Sequence, residues 1–265
     1  MSEQAGAAPA TKAPPGYERL RRPGVETIAR ATLATAVEEA LEAGSLYEYA
    51  VHHPEARPLR GRGVAYAVPL PDGATRVVVR RSRHGGWLAP ITGEIFLSPT
   101  RAPHELDVSL RLSRDGVPTP EVVAYSTYEV APLLRRADVA TREVHGAADL
   151  PSALTRESDP TAVRDVVRAL ARLLARMGAV GARHPDLNVR NVLISRDVNG
   201  NREAWLLDVD RVWFDVPRHP RVMEANLRRF MRSARKLRER EGLPFGDGEL
   251  TLLAALAREE EEALP

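Results

Sequence analysis

Apolar positions along the chain recur with two periods, and the change from one to the other divides the sequence. The stretch "TAVRDVVRALARLLARM" sets Val163, Val166, Val167, Leu170, Leu173, Leu174 and Met177 on one stripe at helical spacing, with Gly178 as a stop. This predicts a helix over Thr161 to Met177. Upstream, "ETIARATLATAVEEALEA" carries Ile28, Leu33, Val37 and Leu41 at near-helical spacing before Gly44, which predicts a helix over Glu26 to Ala43. Between these two the period is mostly that of strands. "GVAYAVPL" and "ATRVVVRR" flank "PDG", a turn between two apolar runs, and read as a hairpin. "EVVAYSTYEVAPLL" and "ADVATREV" read as further strands, and "APHELDVSLRLSRDG" as a helix stopped by Gly116 and Pro118. After the long helix, "NVLIS" and "AWLLDVD" are joined by the turn-rich "RDVNGNRE" as a second hairpin, and from about Pro220 the pattern is helical again. Residues 1–24 are rich in Ala, Pro and Gly, lack apolar periodicity and predict a disordered tail.

The order of elements predicts an α+β chain of two lobes. Residues 25–145 form a β-rich N-terminal lobe with one main helix, and residues 146–265 a mostly helical C-terminal lobe with a hairpin after its main helix. A chain of 265 residues with 43% hydrophobic and 28% charged residues has the composition of a globular protein. No run approaches the roughly 18 apolar residues of a membrane span, and the opening residues lack a basic segment followed by an apolar one. Without cysteine there are no disulfides, no thiol nucleophile and no thiolate-bound metal. These features predict a cytoplasmic protein. A net charge of +2 and 5% aromatic residues argue against a dedicated nucleic-acid module. Lys12 and Lys236 are the only lysines, so a function that needs a buried lysine elsewhere must use arginine.

The chemistry concentrates in "HPDLNVRNVLI". His184, Asp186, Asn188 and Asn191 crowd around a helix-breaking proline where a helix-to-strand turn needs only one or two such residues. The hairpin that follows would return Asp208 to the side of Asn191, with Asp186 a few residues away. Two carboxylates and an amide converging on one edge suit a divalent cation that prefers oxygen ligands, such as Mg²⁺, with one carboxylate left to orient a hydroxyl. His184 braces the loop. The spacing H-x-D-x-x-x-x-N with a later Asp is the one used for phosphoryl transfer in kinase-like enzymes. The competing reading is a capped loop whose Asp and Asn side chains bind only backbone.

A kinase site also needs a glycine-rich cover, a cation on the nucleotide phosphates and an acidic partner for that cation. Gly61 and Gly63 precede a strand, where backbone amides can approach phosphate. Arg80 ends "VVVR", where other kinases place a lysine, and Glu105 on the "PHELDVSL" helix is its candidate partner. His52, His53, His104 and His145 show no metal-ligand spacing.

Together "RRSRHGGW", "HPDLNVRNVLI" and "LLDVDR" resemble the lipopolysaccharide kinase family, and within it the kinases of 3-deoxy-D-manno-octulosonic acid (Kdo). "GRGVAYAV", "LSRDGVPTPEVVA" and "ANLRRFMRS" extend the resemblance over about Gly61 to Lys236. It implies a bilobal, protein-kinase-like fold and ATP-dependent phosphorylation of a sugar hydroxyl in the lipopolysaccharide inner core, the 4-hydroxyl of Kdo. On that resemblance Asp186 orients the hydroxyl and accepts its proton late, while Asn191 and Asp208 hold Mg²⁺. Gly61, Gly63 and Arg80 lie on the nucleotide phosphates, Glu105 fixes Arg80, and Glu143 and Val144 in "TREV" fall at the hinge against adenine. Two residues depart from the family pattern: Pro185 follows the His, and Val209 replaces the Phe of D-F-D.

The helix over 221–240 is strongly basic. Its arginines fit an anionic membrane surface at the inner face of the inner membrane, and equally a solvated helix face. The sugar or glycolipid acceptor, another small molecule or a protein, and a nucleotide-binding pseudokinase are the readings to separate. The intact Asp186, Asn191 and Asp208 weigh against the last.

Overall fold

The computed structural model describes residues 13–60, 64–82, 96–97, 99–157 and 159–264. They divide into two compact units, one holding the described residues up to Thr100 with Val122–Thr141, the other Arg101–Glu121 with the described residues from Arg142 onward. The strip from Arg101 to Glu121, read from sequence as part of the N-terminal lobe, belongs by its contacts to the second unit.

The first unit is built on a single sheet. In chain order its strands are β1 (Tyr17–Arg22), β2 (Val25–Arg30), β3 (Arg57–Arg60), β4 (Val64–Pro69), β5 (Arg76–Arg81), β6 (Phe96–Leu97), β7 (Val122–Ala131) and β8 (Leu134–Arg142). They run β1-β2-β7-β8-β5-β4-β3 across the sheet, with β6 on β8. Helices α1 (Ala34–Ala40) and α2 (Leu46–His52) cover one face, where Val37, Ala40, Leu46 and Ala50 pack on Val68, Val77, Val79 and Ala140. The β4–β5 hairpin has the expected turn: Asp72 Oδ1 accepts the Thr75 N–H at 2.9 Å, and Gly73 takes the left-handed φ of +67°.

Two expectations fail at the N-terminal end. The tail was expected to run to about residue 24, but Tyr17–Arg22 is strand β1, paired through all six of its residues with β2. The spacing predicts helix from Glu26 onward, yet Val25–Arg30 is strand β2. Ile28 faces Tyr125 of β7 in the register, and Thr27 exchanges a 2.7 Å hydroxyl–hydroxyl bond with Ser126. Sheet pairing overrides the local helical spacing there, and helix begins only beyond Arg30.

In the second unit, α3 (Ala102–Arg114) is followed by β9 (Ala148–Asp149), α4 (Leu150–Arg156), α5 (Pro160–Ala179), β10 (Ala182–Arg183), β11 (Val192–Arg196), β12 (Arg202–Leu206), β13 (Trp213–Phe214), α6 (Pro220–Glu241) and α7 (Asp247–Ala263). Helix α5 starts on Pro160 with the Asp159 side chain accepting the Thr161 N–H, and its predicted stripe is buried apart from the half-buried Val163. Leu170, Leu174 and Met177 pack with Leu227 and Phe230 of α6, Leu250 and Leu253 of α7, and Ile194 and Leu206 of the β11–β12 hairpin. That core fixes α5, α6 and the hairpin, the three elements between which the polar loop is strung.

Candidate active site

The loop after α5 is fixed at its entrance by backbone. Gly181 holds a φ of +74°, and a Cβ there would run into the backbone oxygen of Asp215. Only glycine fits both demands. Next, β10 pairs with β13, Ala182 opposite Phe214. His184 follows and is 2% exposed. Its Nδ1 accepts the Asp186 N–H at 3.2 Å and its Nε2 donates to the Leu207 carbonyl at 3.4 Å, which assigns the tautomer with hydrogen on Nε2.

Burial lowers the His184 pKa, against the Leu207 hydrogen bond and the nearby carboxylates of Asp208, Asp186 and Asp210, which raise it. The folded chain therefore holds a neutral imidazole where the unfolded chain would charge at mildly acid pH. With the folded value below the ordinary one, the contribution is complete above about pH 6.5 and is lost as pH falls through the folded value. The melting temperature of the wild type should drop more steeply between pH 7 and pH 5 than that of His184→Gln. Parallel curves would show that His184 does not titrate on unfolding.

Beyond the histidine, side-chain amides shape the backbone. Asn188 donates from Nδ2 to the Asp186 carbonyl at 2.8 Å, while its Oδ1 accepts the Arg190 N–H at 2.9 Å and caps the 3₁₀ turn Val189–Asn191. Asn191 donates to the same Asp186 carbonyl at 3.3 Å. Both asparagines thus bind backbone, as a capped loop requires, whereas among the described residues the Asp186 carboxylate bonds to arginine side chains. The hairpin then returns the chain: Val192 stands opposite Leu206, and the Leu207 N–H donates to the Asn191 carbonyl at 2.9 Å. Asp208 follows, exposed, in the left-handed region at φ +55°. A non-glycine residue there is uncommon and costs about 1–2 kcal/mol. His184, Asp186, Asn191 and Asp208 are therefore drawn together, as the spacing suggests.

Three residues of α6 face this loop, and Asn226 and Ser233 among them bond its backbone. Asn226, 1% exposed, donates from Nδ2 to the Ala182 carbonyl at 2.8 Å and accepts the His184 N–H at 3.0 Å. Ser233 accepts the Val189 N–H at 3.3 Å. Arg229 reaches Asp186 Oδ1 at 3.3 Å, and Arg211, from the turn after Asp208, pairs with Asp186 Oδ2. Positions 226, 229 and 233 are spaced i, i+3, i+7, one helix face turned to the loop. That spacing was visible in "NLRRFMRS". Arg229, one of the basic residues that fit an anionic surface and a solvated face equally, belongs to this inward stripe. The apolar stripe of α6 is likewise spent on the core, since Met223, Leu227, Phe230, Ala234 and Leu237 are all buried.

Helix α3 packs on the turn after Asp208, with Arg101 paired to Asp210 at 3.3 Å and the His104 ring at 3.1 Å from the Val212 carbonyl. Glu105 is buried on this helix, 3% exposed, in the second unit. Arg80 lies on β5 in the first unit. Val77 and Val79 belong to the core under α1 and α2, so alternation puts Arg80 on the opposite face of the strand. Its neighbour Arg81 is on the core face, where it stacks over Tyr47 at 4.2 Å and lies 3.8 Å from the buried Asp138. Glu143 and Val144 are half-buried just after β8, next to Arg142, which pairs with Glu121 at 2.9 Å. Gly61 and Gly63 lie outside the described residues. Among the described residues no group of three or more His, Cys, Asp or Glu could hold a metal ion, and none of their helices is long and apolar enough to cross a membrane.

Residues 59–247 match the model of the lipopolysaccharide kinase (Kdo/WaaP) family. The chain belongs to that family. It is a kinase, a phosphotransferase of lipopolysaccharide synthesis, with an α+β fold of β-rich and helix-rich parts. A 3-deoxy-D-manno-octulosonic acid kinase of Stenotrophomonas maltophilia (strain K279a) is 30% identical over 190 residues, 69% of this chain and 72% of that protein. One from Xanthomonas oryzae pv. oryzae (strain PXO99A) is 32% identical over 195 residues, 69% of this chain and 71% of that protein. One from Vibrio parahaemolyticus is 27% identical over 180 residues, 66% and 71%. A solved structure described as "WaaP in complex with acyl carrier protein" aligns at a TM-score of 0.46 and 20% identity, covering 78% of this chain and 89% of that chain.

Proposed function

We propose that this kinase transfers the γ-phosphate of ATP to a hydroxyl of Kdo, its 4-hydroxyl, on a lipid A precursor. The observation that carries the reading is the treatment of Asp186. Its backbone carbonyl is gripped by two asparagine amides and its N–H by His184, while its carboxylate remains partly open to solvent. A rigid loop whose carboxylate is held by half-exposed, exchangeable ion pairs rather than by backbone is built to meet an incoming hydroxyl.

In the transfer, the acceptor oxygen bonds to the γ-phosphorus as the bond from that phosphorus to the bridging oxygen breaks. ADP leaves with the electron pair, and the hydroxyl proton passes late to Asp186. Asn191 commits its amide nitrogen to the Asp186 carbonyl, which leaves the amide oxygen as a ligand, and the exposed Asp208 adds a carboxylate. Such hard oxygen donors fit Mg²⁺, and an open two-residue site leaves room for phosphate oxygens as further ligands. When bound, the ion would offset negative charge on the transferring phosphate. Arg80, with Gly61 and Gly63, would serve the nucleotide phosphates, and Glu143 and Val144 would serve adenine. His184 keeps the loop in place and moves no proton.

The glycolipid acceptor would be met at an anionic bilayer by charge alone. Arg221, Arg228, Arg232, Arg235 and Lys236 are exposed on α6, whose apolar face is already buried.

The deciding experiment is incubation with a Kdo-bearing lipid A precursor and ATP, read by mass spectrometry with fragmentation to locate the phosphate. One phosphate on the 4-hydroxyl of Kdo is expected. Phosphate on another acceptor and none on Kdo would replace the substrate and keep the reaction class.

A further inference from the structure

We infer that Arg211 and Arg229 form a clamp for the carboxylate of an acidic acceptor, and that they cover Asp186 until that carboxylate arrives. The inference rests on the Kdo reading above. It begins from an oddity of the ion pairs. Asp186 is engaged on both oxygens, Oδ2 by Arg211 and Oδ1 by Arg229. A carboxylate so occupied has no oxygen turned to an incoming hydroxyl, so at least one arginine must exchange partners before Asp186 can act.

The fold does not call for this pair of arginines. His184, Asn188, Asn191, Asn226 and Ser233 already bond the loop backbone without them. Nor is the cluster a buried one: the Arg211 and Arg229 side chains are 44% and 43% exposed, and that of Asp186 29%. Exposed pairs of this kind add little to stability, so they exchange readily.

Charge counting points the same way. Two permanent cations face one carboxylate. The other acids nearby are committed or set apart, with Asp210 paired to Arg101 and Glu241 to Arg190, and His184 is neutral. On the reading above, the exposed Asp208 is set aside for the proposed Mg²⁺. The Arg211–Arg229 pair thus has positive charge to share with a second anion. Guanidinium forks suit a carboxylate in particular, since two parallel N–H bonds match its two oxygens. Both forks are also held at fixed points, Arg211 three residues beyond Asp208 and Arg229 on the α6 face anchored by Asn226 and Ser233.

The acceptor supplies the matching group, because an octulosonic acid carries a carboxylate on the same sugar as the hydroxyl to be phosphorylated. With that hydroxyl at Asp186, the carboxylate lies within the width of one sugar ring. Taking over the arginines then does two things at once: it binds the acid and it uncovers Asp186. A neutral sugar could do neither. In the absence of acceptor, the covered Asp186 would also be poorly placed to activate water against ATP.

The test compares the acceptor as free acid and as methyl ester, with wild type, Arg211→Ala, Arg229→Ala and Arg229→Lys. For the wild type, KM for the ester should exceed that for the acid by roughly 10- to 100-fold, as expected for charge-assisted hydrogen bonds. In the alanine variants acid and ester should converge to within about twofold of each other, and Arg229→Lys should fall between. KM for ATP should not move, and ATP hydrolysis without acceptor should rise. Equal KM for acid and ester in the wild type would overturn the clamp and leave the Kdo reading standing. A common loss on both acceptors in the variants, or a raised KM for ATP, would also overturn it, by showing a structural role or a donor-phosphate role instead. No transfer to either acceptor would overturn the Kdo reading and the clamp with it.

Discussion

Asp186→Asn should lower turnover by about 10²- to 10⁴-fold, the usual contribution of a positioned general base, while leaving the fold in place. The two halves of this expectation come from different parts of one residue. The backbone of Asp186 holds the loop together through its carbonyl, bonded by Asn188 and Asn191, and its N–H, bonded to His184. Substitution at the side chain leaves all three bonds. Among the described residues the carboxylate pairs with Arg211 and Arg229, both near half-exposed, and pairs of that kind contribute about 0–1 kcal/mol. Urea unfolding should therefore give a midpoint close to that of the wild type. Single-turnover transfer of labelled γ-phosphate should fall by the full factor, with KM for ATP unchanged. Wild-type transfer rates in the variant would remove Asp186 from the reaction. A collapsed unfolding midpoint would show instead that its carboxylate holds structure the geometry does not assign to it.

The parts of this molecule that could be read from sequence are those whose signal is local. Helix α5 was legible because its stripe is long and every turn repeats it. The β4–β5 hairpin was legible because Asp72 and Gly73 can form that turn with their own backbone. The loop at His184 stood out because a turn has no need of so many polar residues. Other features failed for reasons equally physical. Strands β1 and β2 carry apolar residues that fit a helix as well as a strand, and only the pairing of Ile28 with Tyr125, nearly a hundred residues away, decides between them. Two-residue strands such as β10 and β13 have no period to detect, although they fix the entrance to the loop. Arg80 and Arg81 are adjacent and chemically equal in the sequence. Which of them lies on the core face depends on where α1 and α2 pack, and the packing gives that place to Arg81. The α6 stripe was hidden for a different reason. Asn226, Arg229 and Ser233 have the right spacing, but their partners lie more than forty residues upstream, and the surrounding arginines suggest an outward face.

That stripe yields the other large effect. Asn226→Ala should cost about 2–5 kcal/mol of stability and should also slow phosphate transfer. Asn226 is buried at 1% exposure and makes two bonds, one from its amide nitrogen to the Ala182 carbonyl and one from the His184 N–H to its amide oxygen. Truncation leaves a buried acceptor and a buried donor unpaired, each costing roughly 1–3 kcal/mol. Against a typical total of about 5–15 kcal/mol this is a substantial fraction, and at about 2–4 °C per kcal/mol for a chain of this size the melting temperature should fall by roughly 5–15 °C. Activity measured well below that temperature should still be reduced, because Ala182 and His184 bracket the start of the loop that aims Asp186. Asn226→Asp separates the two bonds. It keeps an acceptor for the His184 N–H but sets a carboxylate oxygen against the Ala182 carbonyl, and it should be no more stable than the alanine variant. If either variant melts with the wild type, α6 does not hold this loop, and the placement of Asp186 must come from the histidine and the two loop asparagines alone.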